Sequence, residues 1–122
     1  MISGNSKKLI GYAYFAVIFL LAVLPINGAK SLENIFILNF RGDYLVHSLQ
    51  FLPFSLFTGF VKLKSSYSFV LGIFCAIGLE AIQMLLPYRS FNINDLFANF
   101  LGVVMGYFML SLTYLLLLKN RK

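Results

Sequence analysis

Four stretches of the chain consist mainly of apolar residues, and polar or turn-forming residues separate them. Their bounds are about 9–26, 44–61, 68–86 and 95–118. A helix needs about 20 mainly apolar residues to cross the hydrocarbon core of a bilayer, and about 17 are acceptable. We therefore predict four transmembrane helices, packed as an all-α bundle in a single membrane domain that covers residues 1–122.

Breaks in this pattern indicate where the predicted helices bend, begin or are interrupted. Pro53 lies in the middle of the second helix, where it removes a backbone hydrogen bond and is expected to bend the chain. Asn94 or Asp95 is expected to cap the fourth helix, because a short polar side chain accepts hydrogen bonds from the exposed first-turn amides. Residues 31–42 have an apolar centre too short to cross, so we predict an interfacial loop or a short amphipathic segment.

Composition supports a membrane protein and argues against a nucleic-acid-binding domain. Hydrophobic residues make up 60% of the chain, whereas about half is usual for a globular protein. The net charge is +6, but the basic residues lie between apolar runs and not on a polar, solvated face. The first apolar run is longer than the ~7–15 residues typical of the hydrophobic region of a signal peptide, so we expect a retained helix. The single cysteine, Cys75, excludes an intrachain disulfide.

The distribution of charge predicts an orientation in the membrane. With the N-terminus inside, the inner basic residues are Lys7, Lys8, Lys62, Lys64, Lys119, Arg121 and Lys122, and the outer ones are Lys30, Arg41 and Arg89. The positive-inside rule then places both termini in the cytoplasm. All four acidic residues, which are Glu33, Asp43, Glu80 and Asp95, fall on or near the outer side.

Helical spacing gathers the polar residues of the last three predicted helices on one face of each. The three faces are Asp43, His47 and Gln50; Glu80 and Gln83; and Asp95, Asn99, Gly102, Gly106 and Thr113. Polar groups are costly in contact with lipid, so we expect the three faces to meet in a polar pocket that opens outward. The Gly102-x-x-x-Gly106 pair is typical of close helix packing in membranes.

Two segments resemble those of a known family. They are Gly42-Asp43-Tyr44-Leu45-Val46-His47-Ser48, and Glu80-x-x-Gln83 followed by Pro87-x-Arg89-Ser90 and Asp95-x-x-x-Asn99-x-x-Gly102. Together they are similar to the VanZ-like proteins, small bacterial membrane proteins named for a member linked to teicoplanin resistance. The chain departs from that pattern at Tyr44, where lysine is common, and at Ser48, where an aromatic residue is usual. The resemblance implies a membrane location and a cell-envelope context, and it supplies no reaction.

Chemical and structural interpretations of the polar residues both remain open. His47 could serve as an acid, a base or a ligand, with Asp43 one turn away to orient its ring, or the pair could simply satisfy two polar groups. Arg89 near Glu80 and Asp95 could bind an anion, or it could form a salt-bridge clamp on the connecting loop. One histidine among carboxylates is a weak metal signal, so we predict no metal and no cofactor.

We favour a binding or envelope-modulating protein of the bacterial cytoplasmic (inner) membrane. The candidate pocket residues are Asp43, His47, Glu80, Gln83, Arg89, Ser90, Asp95 and Asn99. The expected partners are the bilayer and a lipid headgroup, a cell-wall precursor or an amphiphilic antibiotic, with no nucleic acid. The alternatives are an intramembrane enzyme with His47 or Glu80 as acid or base, and a scaffold that contacts another membrane protein. No catalytic residue can be assigned.

Overall fold

The computed structural model describes residues 3–24, 36–37, 40–89 and 91–119. Within these ranges the chain forms five helices and one pair of two-residue strands. They are α1 (Gly4–Val23), β1 (Phe36–Ile37), β2 (Phe40–Arg41), α2 (Gly42–Phe51), α3 (Phe54–Phe60), α4 (Ser65–Met84) and α5 (Ile93–Lys119). The strands pair antiparallel, with Phe36 opposite Arg41. The predicted all-α fold is confirmed, since α2 and α3 together occupy the place of the second predicted helix.

Pro53 divides the second predicted helix into two short ones. The Leu52 amide still donates to Ser48 (3.0 Å), and helical bonding resumes when the Phe57 amide donates to Pro53 (3.1 Å). Proline has no amide hydrogen, so it cannot continue the ladder of α2, and it instead occupies the N-cap position just before α3. The result is a break and not the bend expected from the sequence. Among the residues that the structure describes, three helices are long and apolar enough to cross a membrane, namely α1, α4 and residues 93–116 of α5.

The helix ends also differ from the predicted ones. α1 begins at Gly4, where the Ser3 hydroxyl accepts from the Ser6 amide (3.2 Å), and it ends at Val23. The predicted cap of the last helix at Asn94 or Asp95 is wrong, because α5 already begins at Ile93. The residue before it, Asn92, accepts the Asn94 amide with its side-chain oxygen (3.0 Å). The last residues of the first predicted helix, 25–26, lie outside the described ranges, as do most of residues 31–42.

Glycines let α2 and α5 run side by side at backbone contact. A Cβ atom added to Gly102 would overlap the Ser48 carbonyl oxygen, and one added to Gly106 would overlap that of Leu52. Both pairs advance by four residues in the same direction, so the two helices are parallel and both begin at the same end of the bundle. The buried core beside them contains Phe51, Phe54, Ala76 and Val103.

Tyr14 joins α1 to α2 and α3. Its hydroxyl donates to the Gln50 carbonyl (2.6 Å), and its ring stacks on Phe57 with centroids 4.2 Å apart. The last carbonyls of a helix have no donor within that helix. The Gln50 carbonyl near the end of α2 is one of these, and the Tyr14 hydroxyl supplies its donor. On the other side of α3, the hydroxyls of Thr58 and Ser68 hydrogen-bond to each other and join α3 to α4.

Charge is sorted between the two ends of the bundle. We call the end where α2 and α5 begin and α1 and α4 finish the acidic end, because Asp43 and Asp95 lie in first helical turns there. Four lysines lie at the opposite end, in the first turns of α1 and in the turn between α3 and α4; they are Lys7, Lys8, Lys62 and Lys64.

Candidate functional site

His47 lies at the centre of a polar network between α2 and α5. Its Nδ1 atom is 3.2 Å from Asn99 Oδ1, and its Nε2 atom is 3.6 Å from Asp95 Oδ2. Gln50 Nε2 donates to the same Asn99 oxygen (3.2 Å) and lies 3.4 Å from His47 Nδ1. We call these four residues the His47 cluster. A neutral imidazole carries one N–H, so the ring can donate to both Asn99 and Asp95 only as the imidazolium.

Glu80 of α4 joins this cluster through Asn92. Its Oε1 atom accepts the Asn92 amide (2.8 Å), and the Asn92 side chain donates to Asp95 Oδ1 (3.0 Å). The Glu80 side chain is 1% exposed, and its Oε2 atom is a buried acceptor with no hydrogen-bond partner among the residues that the structure describes. A buried polar atom without a partner is costly, so this oxygen is a ready acceptor for an incoming donor.

Access to the network differs from one residue to the next. The side chains of His47 and Asp95 are 16% and 14% exposed. Behind them, Asn99 is 2% exposed and Glu80 is more deeply buried still. The imidazole and carboxylate are therefore the accessible groups, and the buried amides and glutamate hold them in position.

Gln83 and Arg89 direct their hydrogen bonds to the end of α1. Gln83 Nε2 donates to the Ala22 carbonyl (3.2 Å), and Arg89 Nη2 donates to the carbonyls of Leu21 (3.3 Å) and Leu24 (3.2 Å). These carbonyls belong to the last turn of α1 and to its C-cap residue, Leu24, where backbone carbonyls lack intrahelical donors and carry a partial negative charge. In the described part of the chain, the hydrogen bonds of Arg89 thus go to backbone and not to the expected clamp with Glu80 and Asp95.

The remaining predicted pocket residues are Asp43 and Ser90. Asp43 is half-buried in the first turn of α2, where the helix dipole favours a carboxylate. The sequence suggested Asp43 as the group that orients His47, but the carboxylate beside the ring Nε2 atom belongs to Asp95. Ser90 lies outside the described residues.

A comparison with models of known protein families shows to which family the chain belongs. The family model VanZ/LLP1 matches residues 9–117. This chain belongs to the VanZ/LLP1 family. The match contains every segment on which the resemblance was based, and with the three long apolar helices it identifies a membrane protein. No curated protein and no solved structure matches the chain.

Three residues of this VanZ/LLP1 protein take part in the polar contacts but were missing from the predicted set. The sequence did contain an indication for Gln50, because this residue shares a helix face with His47. The indication for Asn92 was weaker: an Asn three residues before an acidic residue resembles a helix cap. Tyr88, whose hydroxyl donates to Val23 (2.6 Å), lies in a loop where spacing gives no indication of direction.

The VanZ/LLP1 chain also has an apolar cleft of about 350 Å³ between α1 and α4. Residues of α1 and α4 and the side chain of Phe54 line this cleft. It is separate from the polar faces predicted from the sequence, which belong to α2, α4 and α5. Among the described residues, no group of three or more His, Cys, Asp or Glu side chains is placed to hold a metal ion.

Proposed function

We propose that this protein is a multi-pass protein of the bacterial cytoplasmic membrane that binds a polar group of a cell-envelope component at the His47 cluster. The observation that carries the proposal is the partly open His47–Asp95 pair, which buried groups brace from behind. A binding site needs accessible polar groups held in one geometry, and a network that served packing alone would have no need to leave them open.

The charges of the site suggest the chemistry of its ligand. Glu80 and Asp95 supply carboxylates, His47 supplies an imidazole, and the hydrogen bonds of Arg89 go to backbone carbonyls at the end of α1. The buried Glu80 Oε2 acceptor, which has no hydrogen-bond partner among the described residues, favours a hydroxyl or ammonium donor over an anion. Amine-bearing lipid headgroups, the sugars of cell-wall precursors and amphiphilic glycopeptides all present these donors. Binding of either of the last two would connect the site with teicoplanin tolerance.

We infer that the acidic end faces outward. Lys7, Lys8, Lys62 and Lys64 lie at the other end, and basic residues next to membrane helices favour the cytoplasm. In a Cys75→Ser background, a membrane-impermeant maleimide added to intact cells should label Phe91→Cys in the loop before α5 and spare Lys64→Cys. The reverse labelling pattern would place the His47 cluster on the cytoplasmic side.

Binding agrees better with the geometry than catalysis does. A general base must direct a nitrogen at the proton it removes. Both ring nitrogens of His47 already face protein groups, Nδ1 towards Asn99 and Nε2 towards Asp95. The ring is therefore suited to present its carboxylate partner to a ligand.

The proposal is tested by ligand-dependent thermal stabilisation of the purified protein, with teicoplanin, lipid II and phosphatidylethanolamine as separate probes. We expect at least one probe to raise the unfolding temperature, since a ligand at 100 times its Kd adds about 2.7 kcal/mol. Glu80→Gln should lose most of this shift, because it replaces the Oε2 acceptor and keeps an oxygen for the Asn92 amide. Asp95→Asn should lose it as well.

Ser48→Ala, next to His47 on α2, is the control variant. The Ser48 hydroxyl donates to the Leu45 carbonyl (3.0 Å), so its removal should leave the ligand-dependent shift unchanged. Flat responses to all three probes, or equal shifts in Glu80→Gln and Ser48→Ala, would contradict binding at the His47 cluster. The unfolding temperature of each variant without ligand shows that it is folded.

A further inference from the structure

The apolar cleft follows a single stripe of α4 that is separate from the polar network. On α4 its lining includes Leu71, Cys75, Gly78 and Ile82, which are spaced by four, three and four residues. Such spacing places them on one face of the helix. Glu80, which points into the polar network, lies between these positions and is buried on another side.

The cleft has the depth of one membrane leaflet. From Leu71 to Ile82 the helix rises about 16 Å. The hydrocarbon core of a bilayer is about 30 Å thick, so one leaflet spans roughly half of that distance. At the acidic end the cleft meets the hydrogen bond between Gln83 and the Ala22 carbonyl, where α1 and α4 are tied together.

A guanidinium group is held just beyond that end of the cleft. Arg89 Nη2 donates to Leu21 and Leu24, which follow the α1 residues that line the cleft, Phe15, Ile18 and Phe19. Arginine has five N–H donors, and within the described part of the chain its hydrogen bonds use Nη2 alone. The Nε and Nη1 donors point to a phosphate as the natural partner, since the guanidinium fork matches its oxygens.

We propose that the cleft between α1 and α4 holds one acyl chain of an anionic phospholipid and that Arg89 binds its phosphate. The apolar lining accepts the chain, the leaflet depth matches its position in the membrane, and the cation just beyond the acidic end of the cleft selects the headgroup. This lipid is distinct from the ligand of the His47 cluster, whose carboxylates disfavour an anion.

Gly78 offers a direct way to fill the cleft. A Cβ atom at this position would meet nothing within 4 Å, so the cleft has room for a larger side chain there. Gly78→Phe should occupy the space of the acyl chain, and Gly78→Leu should occupy part of it. Val104→Phe on an exposed position of α5, outside the cleft, adds a similar ring to the lipid-facing surface and serves as the matched control.

The test is native mass spectrometry of the protein released from nanodiscs of equal phosphatidylglycerol and phosphatidylcholine. The wild type and Val104→Phe should each retain one lipid, with phosphatidylglycerol preferred about fivefold, the effect of one basic residue beside an anionic lipid. Gly78→Phe should retain neither lipid, and Gly78→Leu should retain less. Arg89→Gln, whose amide can still donate to α1, should retain a lipid without preference, whereas Arg89→Lys should keep the preference.

Three results would overturn the proposal. They are equal lipid retention in Gly78→Phe and Val104→Phe, an unchanged headgroup preference in Arg89→Gln, and a wild-type dimer that Gly78→Phe dissociates. The last result would mean that a second copy of the chain covers the cleft. A thermal unfolding curve for each variant shows that it is folded, and because the His47 cluster is unchanged, its ligand response gives an independent control.

Discussion

Replacing Gly106 by alanine tests whether α2 and α5 lie at backbone contact. An added Cβ would overlap the Leu52 carbonyl oxygen and would lie 2.9 Å from its carbon and 3.4 Å from the Leu52 Cα. These are backbone atoms next to Pro53, so they cannot rotate aside as the end of a flexible side chain can. The two helices must separate to admit the methyl group.

The expected loss of stability follows from two opposing terms. Overpacking a close contact costs about 1–3 kcal/mol, and more where backbone must move. Alanine in place of glycine returns up to about 1 kcal/mol through its higher helix propensity. Separation of α2 from α5 also weakens the hydrogen bonds from His47 and Gln50 to Asn99, each worth about 0.6 kcal/mol between membrane helices. We therefore expect the free energy of unfolding to fall by about 2 kcal/mol or more, and Gly102→Ala to change it in the same direction.

Unfolding of the protein in mixed detergent micelles by added sodium dodecyl sulfate, followed by far-ultraviolet circular dichroism, measures this change. Gly78→Ala is the control, because it makes the same chemical change in the interior of α4 at a position with open space. Its stability should equal or slightly exceed that of the wild type. If Gly106→Ala proves as stable as Gly78→Ala, the helices are not in contact and the argument for a preformed His47 cluster fails with it.

Two further changes test a helix end and the polar network. Lys62 follows the end of α3 and has φ 64°, a left-handed conformation. Its amide donates to the Gly59 carbonyl, and the Leu63 amide donates to the Thr58 carbonyl. Because this conformation suits glycine, Lys62→Gly should raise the free energy of unfolding by about 0.5–1 kcal/mol. Lys64→Gly, at an extended residue, should give no such gain, and equal effects would refute the explanation. Asn99→Ala should lower stability by about 1–2 kcal/mol, since it removes the acceptor shared by His47 and Gln50. In the Gln50→Leu background, Asn99→Ala should lower stability by less. If the effects of the two substitutions simply add in the same unfolding assay, the side chains of Gln50 and Asn99 do not interact.

Much of the fold could be predicted from the linear pattern alone. The length of the apolar runs predicted α1, α4 and α5, because the thickness of a bilayer sets the number of residues needed to cross it. Pro53 indicated a bend, because proline lacks an amide donor wherever it occurs, but the structure has a complete break there. The positions of His47, Glu80, Asp95 and Asn99 on helix faces followed from a period of 3.6 residues, and the VanZ-like resemblance followed from the order of the same residues.

Tertiary structure decided which of those faces meet. Glu80 and Gln83 share a face of α4, yet one hydrogen-bonds to Asn92 and the other to α1. Arg89, expected to clamp carboxylates, donates to carbonyls at the end of α1, because those carbonyls lack donors within the helix and carry a partial negative charge. Helical periodicity fixes the direction in which a side chain leaves its own helix. It contains no information about which neighbouring helix lies there, since that depends on the close approach of α2 to α5 at Gly102 and Gly106 and on the loop that returns Asn92 to Glu80.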